Sequence, residues 1–343
     1  MRELPRPALT GFLPPRPLIG LLGLALLLAG MGSVAAQEAS RTYDVRLVKR
    51  FFSIGTASIS GMYYPLGSAM SRLFNSNLDG IVTIPEPTKG SVDNIEHLRR
   101  GEIALALVQN DVAFNAFHGR GAYEGRPMPT LRVLASLYSE VLHVAVRQDA
   151  GLRTFDDLRG KVLAIGEEGS GTAVNSQIIL EQLGFKPGDF TPSYLGVTKA
   201  IAALEGGYVD AVFFTGGLPS EGFALLGRRL PIRLLSFSSE MRQKVIAAYP
   251  FWQEEIIPAG TYPGQTADVA TVGLRALLCT TAGFDPDLGE RMLALIFDQA
   301  AYLATMSRAA AGLRLDTATK GVPPEMLHPA TRQFLAGRGF PLP

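Results

Sequence analysis

The chain alternates, almost from end to end, between short apolar runs and amphipathic segments, and the joints between them are built from glycine, serine and threonine. At "SIGTASISGMYYPLGSAM" (53–70) apolar residues run up to Ile54 and small hydroxyl residues follow. Leu66, Met70, Leu73 and Phe74 then recur at helical spacing. The succession repeats. "GIVTIPEP" reads as a strand and "GSVDNIEHLRRGE" as a helix ending at Gly101. "IALALVQ" reads as a buried strand and "NDVAFNAFHG" as a helix with Asn110 as N-cap, with strand-like runs at "LRVLASLY" and "VLHVAVR". At Gly151 the pattern restarts with "TFDDLRG", "KVLAIG", the turn "EEGSGT" and the helix "AVNSQIILEQLG". "VTKAIAALEGG", "YVDAVFF", "TGGLPSEGFALLG" and "IRLLSF" continue it. A strand followed by a helix and another strand returns the chain in the same direction, so the reading is an α/β class with mostly parallel sheet.

The segment "IIPAGTYPGQ" breaks this rhythm, and a long apolar strand, "VATVGLRALLCTT", precedes what reads as one long helix, "PDLGERMLALIFDQAAYLATM". A long strand placed after a self-contained α/β unit suggests that the chain returns to where it began. The expected division is a first lobe of residues 43–146 and 269–343 and a second lobe of 147–268. Crossings are expected near His143–Arg147 and Val269–Leu278, with a hinge and a cleft between the lobes.

The first residues are different in kind. Arg2, Arg6 and Arg16 precede the uncharged run "LIGLLGLALLLAGM", and "SVAAQ" follows with Val34 and Ala36 placed for a cut after Ala36. Residues 1–36 read as a secretory signal peptide. The alternative is a membrane anchor, for which the run falls short of the ~20 residues a spanning helix needs. The whole chain carries 32 Lys+Arg and 31 Asp+Glu, and the part beyond Ala36 carries 29 and 30. Neither balance provides a basic field for nucleic acid. The single cysteine, Cys279, lies inside an apolar run and reads as a core residue.

Open α/β sheets bind ligands beyond the carboxyl ends of their strands, where helix N-termini present unpaired N–H groups. Three turns fit that description: Gly55–Gly61, Gly166–Thr172 and Thr215–Gly217. A fourth, Gln109–Asp111, offers a side-chain amide. Ordinary helix capping is the competing explanation for each, and one of Tyr63 and Tyr64 is expected to be a core aromatic. "GEEGSGT" lacks the ending of a P-loop and, with Val174 in place, the third glycine of a dinucleotide turn. No GxSxG, SxxK or HExxH occurs, and His97, His118, His143 and His328 show no metal spacing. No cofactor and no metal are therefore expected. His143, in an apolar run, reads as a core or hinge histidine.

Taken in order, "GTASISGMYYPLG", "GSVDNIEHLRRGEIALALVQND", "GSGT", "VDAVFFTGG", "IPAGTYPGQ" and "LHPA" resemble the TAXI family, the solute receptors of tripartite ATP-independent periplasmic (TRAP) transporters. The resemblance runs from about Val45 to Phe334. It implies a two-lobed periplasmic binding protein of type II-like fold, each lobe a mixed, mostly parallel sheet flanked by helices. Such a protein is not an enzyme: it closes on a small organic anion, a carboxylate or amino acid such as glutamate or 2-oxoglutarate, and delivers it to a TRAP membrane permease. A monomer is expected. The residues carried over to the cleft are Thr56, Ser58, Tyr63, Gln109, Ser170, Gly171 and Thr172, with Thr215 added after "VFF". Where the family's turn before GSGT often holds proline, this chain has Glu167 and Glu168, which would oppose a dianion or receive an ammonium group. The rival readings are a receptor of an ATP-driven (ABC) importer or a sensor, and an exported enzyme.

Overall fold

The computed structural model describes residues 50–249 and 251–341. The expected signal peptide and the cut after Ala36 lie outside the described residues. The strands are β1 (Arg50–Gly55), β2 (Ile81–Glu86), β3 (Leu105–Gln109), β4 (Leu131–Arg147), β5 (Val162–Ala164), β6 (Thr191–Ser193), β7 (Ala211–Gly216), β8 (Ile232–Leu234), β9 (Gln253–Ile257) and β10 (Val269–Thr281). The helices are α1 (Tyr63–Asn77), α2 (Ser91–Arg100), α3 (Asn110–His118), α4 (Gly171–Gln182), α5 (Val197–Glu205), α6 (Glu221–Arg229), α7 (Ser239–Ala248), α8 (Pro286–Asp298), α9 (Ala300–Met306) and α10 (Pro329–Gly337).

The α/β reading holds, and the sheet is mixed. Its strands run in the order β2-β1-β3-β10-β4-β7-β5-β6, with β8 beside β4 and β9 beside β10. The βα repeats build two parallel trios, β2-β1-β3 and β7-β5-β6. Two long antiparallel strands join the trios into one sheet. The runs "LRVLASLY" and "VLHVAVR" are one strand of 17 residues, β4. Its first part pairs with β10 from Leu131 to Val141, and its last part pairs with β7 from Val141 to Val146. The passage from one trio to the other thus falls at Tyr138–Val141, ahead of His143–Arg147, which already pair with β7 and β8. A continuous apolar run suits this position, because both faces of the strand are covered by helices.

Four buried clusters flank the sheet. On the first half, α1, α8, α9 and α10 cover one face and α2 and α3 the other. On the second half, α4 and α7 cover one face and α5 and α6 the other. The segment after β10 therefore packs back on the first half through Leu288, Met292, Leu293 and Ile296. Cys279 is fully buried, and burial pushes its thiol far above the usual range. No helix among the described residues is long and apolar enough to cross a membrane.

Two local expectations are corrected. Asn110 is not the N-cap of α3; Gln109 is. The Asn110 side chain turns inward, accepting from Arg275 N at 3.1 Å and donating to Phe251 O and Gly321 O at 3.3 Å each. A buried amide between three strand and loop segments satisfies more backbone there than a cap would. The expected long helix breaks at Gln299 into α8 and α9. The short strands β6 and β9 and helix α7 had no strong pattern: Thr191–Ser193 contains a proline, and α7 buries only Val245.

Candidate functional site

A cavity of about 90 Å³ lies between the two halves of the sheet, at the carboxyl ends of β3 and β7 and beside the turns that leave β1 and β5. At ~10–15 Å³ per water-sized position this holds roughly six to nine such positions, the bulk of a small polar molecule. Of the eight residues expected to face a cleft, Ser58, Tyr63, Gln109, Ser170, Gly171, Thr172 and Thr215 line it. Thr56 does not. It is fully buried, its hydroxyl donates to Glu86 O at 2.6 Å, and its carbonyl accepts from Asn94 Nδ2 and Thr88 Oγ1 at 2.7 and 2.9 Å. The hydroxyl nearest the strand fastens the edge of the sheet and leaves the cavity to the residues after it.

The second-half wall is the start of α4. Ser170 is its N-cap and takes Ala173 N at 3.1 Å, so the capping role falls to Ser170 rather than to its neighbour. The Thr172 hydroxyl accepts from Thr215 N at 3.3 Å and ties this turn to the end of β7. The N–H groups of Gly171 and Thr172 begin the helix without intrahelical partners and carry its positive end. Gly171 is held against Gln109: a Cβ there would overlap Gln109 Oε1 and come within 3.0 Å of Ser91 Oγ. Gly166 and Gly169 have φ of 104° and 85°, a region that favours glycine, and let the chain fold tightly around this helix start.

The floor is formed by a residue that the sequence reading did not single out. Glu140, on β4 between the two halves, is 3% exposed and lines the cavity. Its oxygens accept from Tyr63 and Tyr138 hydroxyls at 3.1 and 3.3 Å. Burial pushes its carboxyl up to about 7, against the opposing pull of the Gln109 side chain and the two phenols. Tyr63 is accordingly the buried member of the Tyr63–Tyr64 pair. Gln109 N donates to Ser91 Oγ at 3.1 Å, while Gln109 Oε1 and Thr215 Oγ1 are buried without a partner. The charged side chains of the lining are Lys89, Glu140 and Glu167. A signal for Glu140 was present: it is the one acidic residue in the 17-residue run of β4. Lys89, Ser91 and the Leu195–Val197 segment also line the cavity and were not expected.

The halves touch around the cavity. Ser60 and Thr198 hydroxyls meet at 2.8 Å. Gly169 O accepts from Val92 N and Asp93 N at 3.2 and 3.3 Å, so a carbonyl of the second half caps α2 of the first. Asn175 Nδ2 on α4 donates to Asp111 Oδ2 on α3 at 2.5 Å. His143, by contrast, is a core residue: its Nδ1 bonds Val141 O and its Nε2 bonds Tyr262 hydroxyl, and burial lowers its pKa to about 4. Among the described residues no cluster of three metal-ligating side chains occurs.

The NMT1-like family matches residues 54–339. Among solved structures, a protein from Bordetella bronchiseptica RB50 superposes with a TM-score of 0.52 at 13% identity, over 85% of this chain and 99% of that one. A Xanthomonas citri protein bound to ATP gives 0.48 at 15% identity, over 84% and 94%. The periplasmic aliphatic sulphonate binding protein of Escherichia coli gives 0.44 at 16% identity, over 77% and 75%. The Bordetella structure shares the fold.

Proposed function

The chain belongs to the NMT1-like family, and from that premise we propose that it is a periplasmic solute receptor, not an enzyme, whose two lobes close on a small organic anion and deliver it to a membrane permease of the TRAP type. The observation that carries this reading is the cavity itself, whose walls come from both halves of one sheet and whose rim is fastened by hydrogen bonds between them. Its lining consists of hydroxyls, amides and helix-start N–H groups, which hold a ligand by hydrogen bonds. Residues 147–268 form the moving second lobe in this reading. The long strands β4 and β10 are the hinge, and the expected leader directs export.

The charges narrow the ligand. Lys89 and the start of α4 suit a carboxylate; Glu140 and Glu167 suit an ammonium group. An amino acid with an anionic side chain, such as glutamate, satisfies both, whereas a dianion without an amino group leaves the carboxyls of the protein opposed. The test is a thermal-shift and calorimetric screen of L-glutamate, 2-oxoglutarate, neutral amino acids and ethanesulfonate. A ligand at 100-fold its Kd adds about 2.7 kcal/mol to stability. The amino acids are expected to shift the melting temperature most. A preference for 2-oxoglutarate over glutamate overturns the ammonium assignment, and no shift with any compound overturns the ligand class. Uptake into liposomes with a candidate permease, driven by an ion gradient and indifferent to ATP, tests the transporter type.

A further inference from the structure

Two residues beyond Gln109, in the first turn of α3, Asp111 is completely buried. The groups acting on its carboxyl are the N–H groups of its own helix start, at Asp111 and Val112, and the amide of Asn175 from the other half; no cation is among them. Asp111 in turn acts on Glu140 on β4 and on Tyr123 in the turn after α3, and neither of these brings positive charge. At the contact, Asp111 Oδ1 and Asn175 Oδ1 are both buried acceptors without a partner. A carboxylate shut into such a place, rich in acceptors and without a counter-ion, is stabilised by binding a proton, which supplies a missing donor and removes the buried charge.

We propose that Asp111 and Asn175 form a proton-loaded latch: closing the two halves buries Asp111 against Asn175 and takes up one proton at its carboxyl, so that acid favours the closed receptor. This inference rests on the reading of cleft closure given above. In the open protein the carboxyl faces water, where an aspartate titrates near ~3.9; in the closed one, burial pushes it up to about 7, against the pull of the α3 helix start. The closed state therefore holds more protons between those values, and its share grows as pH falls through the interval. With these two values the closed-to-open ratio rises roughly thirtyfold from pH 8 to pH 5.5. Capture and release of the solute then depend on the acidity at the receptor, independently of solute concentration.

The test needs no solute. Spin labels on Ser76→Cys, on α1, and Lys199→Cys, on α5, report the separation of the halves, because the native Cys279 is buried. In the ligand-free protein the short-distance population is expected to grow steeply between pH 8 and pH 5.5. In Asp111→Asn, whose amide keeps the hydrogen bond and cannot titrate, the response is expected to vanish, and Asp111→Ala serves as a second non-titrating variant. Distances that do not change with pH in the parent protein overturn the latch. So does a response that survives in Asp111→Asn, which would belong to Glu140. Adding L-glutamate separates the two ideas: if it draws the labels together while pH alone does nothing, the latch falls and the hinge stands. If neither moves them, both fall.

Discussion

The turns after β1 and β5 occupy the same place in their two halves, each following the middle strand of a parallel trio and each opening a helix beside the cavity. They are built differently. The turn after β5 is finished: Ser170 caps α4, Thr172 is tied to Thr215, and two glycines at positive φ draw the chain tight. The turn after β1 has no side-chain cap; Met62 stands at the cap position in a helical conformation. Its hydroxyls bond elsewhere, Ser58 to Ser60 at 3.1 Å and Ser60 across to Thr198. One turn holds fixed donors toward the cavity, and the other fastens its lip. Glycine, serine and threonine in a strand-to-helix joint thus serve two roles, and the position of the second partner, not the residue type, decides which.

The sharpest way to break this comparison is to make one substitution in both turns. Gly171→Ala puts a methyl group onto the Gln109 side chain, while at Gly61 a Cβ meets only Ser58 O at 3.1 Å. Overpacking of this kind costs ~1–3 kcal/mol or more. Gly171→Ala is therefore expected to lower affinity about 100-fold, and Gly61→Ala less than about fivefold, by calorimetric titration. Equal losses would mean that the turns do the same work.

A second test concerns Glu140, between the turns. Its folded pKa, about 7, lies above the ordinary carboxylate value. The stability it contributes is complete in acid and is lost as pH rises through about 7. Glu140→Gln removes that loss, so at pH 8 the variant is expected to gain on the order of 2 kcal/mol over the parent in urea melts, with little difference at pH 5. His143, with its pKa lowered to about 4, acts in the other direction, since its contribution is lost as pH falls below the usual histidine value. The comparison of variant with parent cancels it.

Caps give a smaller effect. Ser170→Ala is expected to cost about 1 kcal/mol of stability, while Thr172→Val, which keeps shape and loses only the acceptor for Thr215 N, costs less and acts more on affinity. The smallest change is at the lip: Ser60→Ala removes the two bonds of one exposed hydroxyl, to Ser58 and across to Thr198, together worth ~0.5 kcal/mol, and should move ligand off-rate more than melting temperature.

Much of this was legible in the sequence. The strand–turn–helix period places β1–β3, β5 and β7, and the turns together with the family resemblance mark seven residues of the cavity. Thr56 misled because a hydroxyl one residue past a strand can turn back to the neighbouring strand as easily as forward to a ligand. Glu140 was hidden for the opposite reason: it belongs to a strand, not a turn, and only its isolation in an apolar run signals it. The junction at Tyr138–Val141 was also hard to place, since no residue in "LYSEVLH" breaks the strand.

The two long strands bear on the order in which the chain can fold. β10 lies between β3 and β4 in the first half and pairs with β9 in the second, yet it is made after all of them. Both halves stay incomplete until residue 281 is available, and the pairing of β3 with β10 closes a loop of more than 160 residues. Contacts of such wide sequence separation are slow to form. The first half is therefore expected to complete late, and the β3 edge of its parallel trio stays open to aggregation until β10 arrives, whereas β7 of the second trio is already covered by β4.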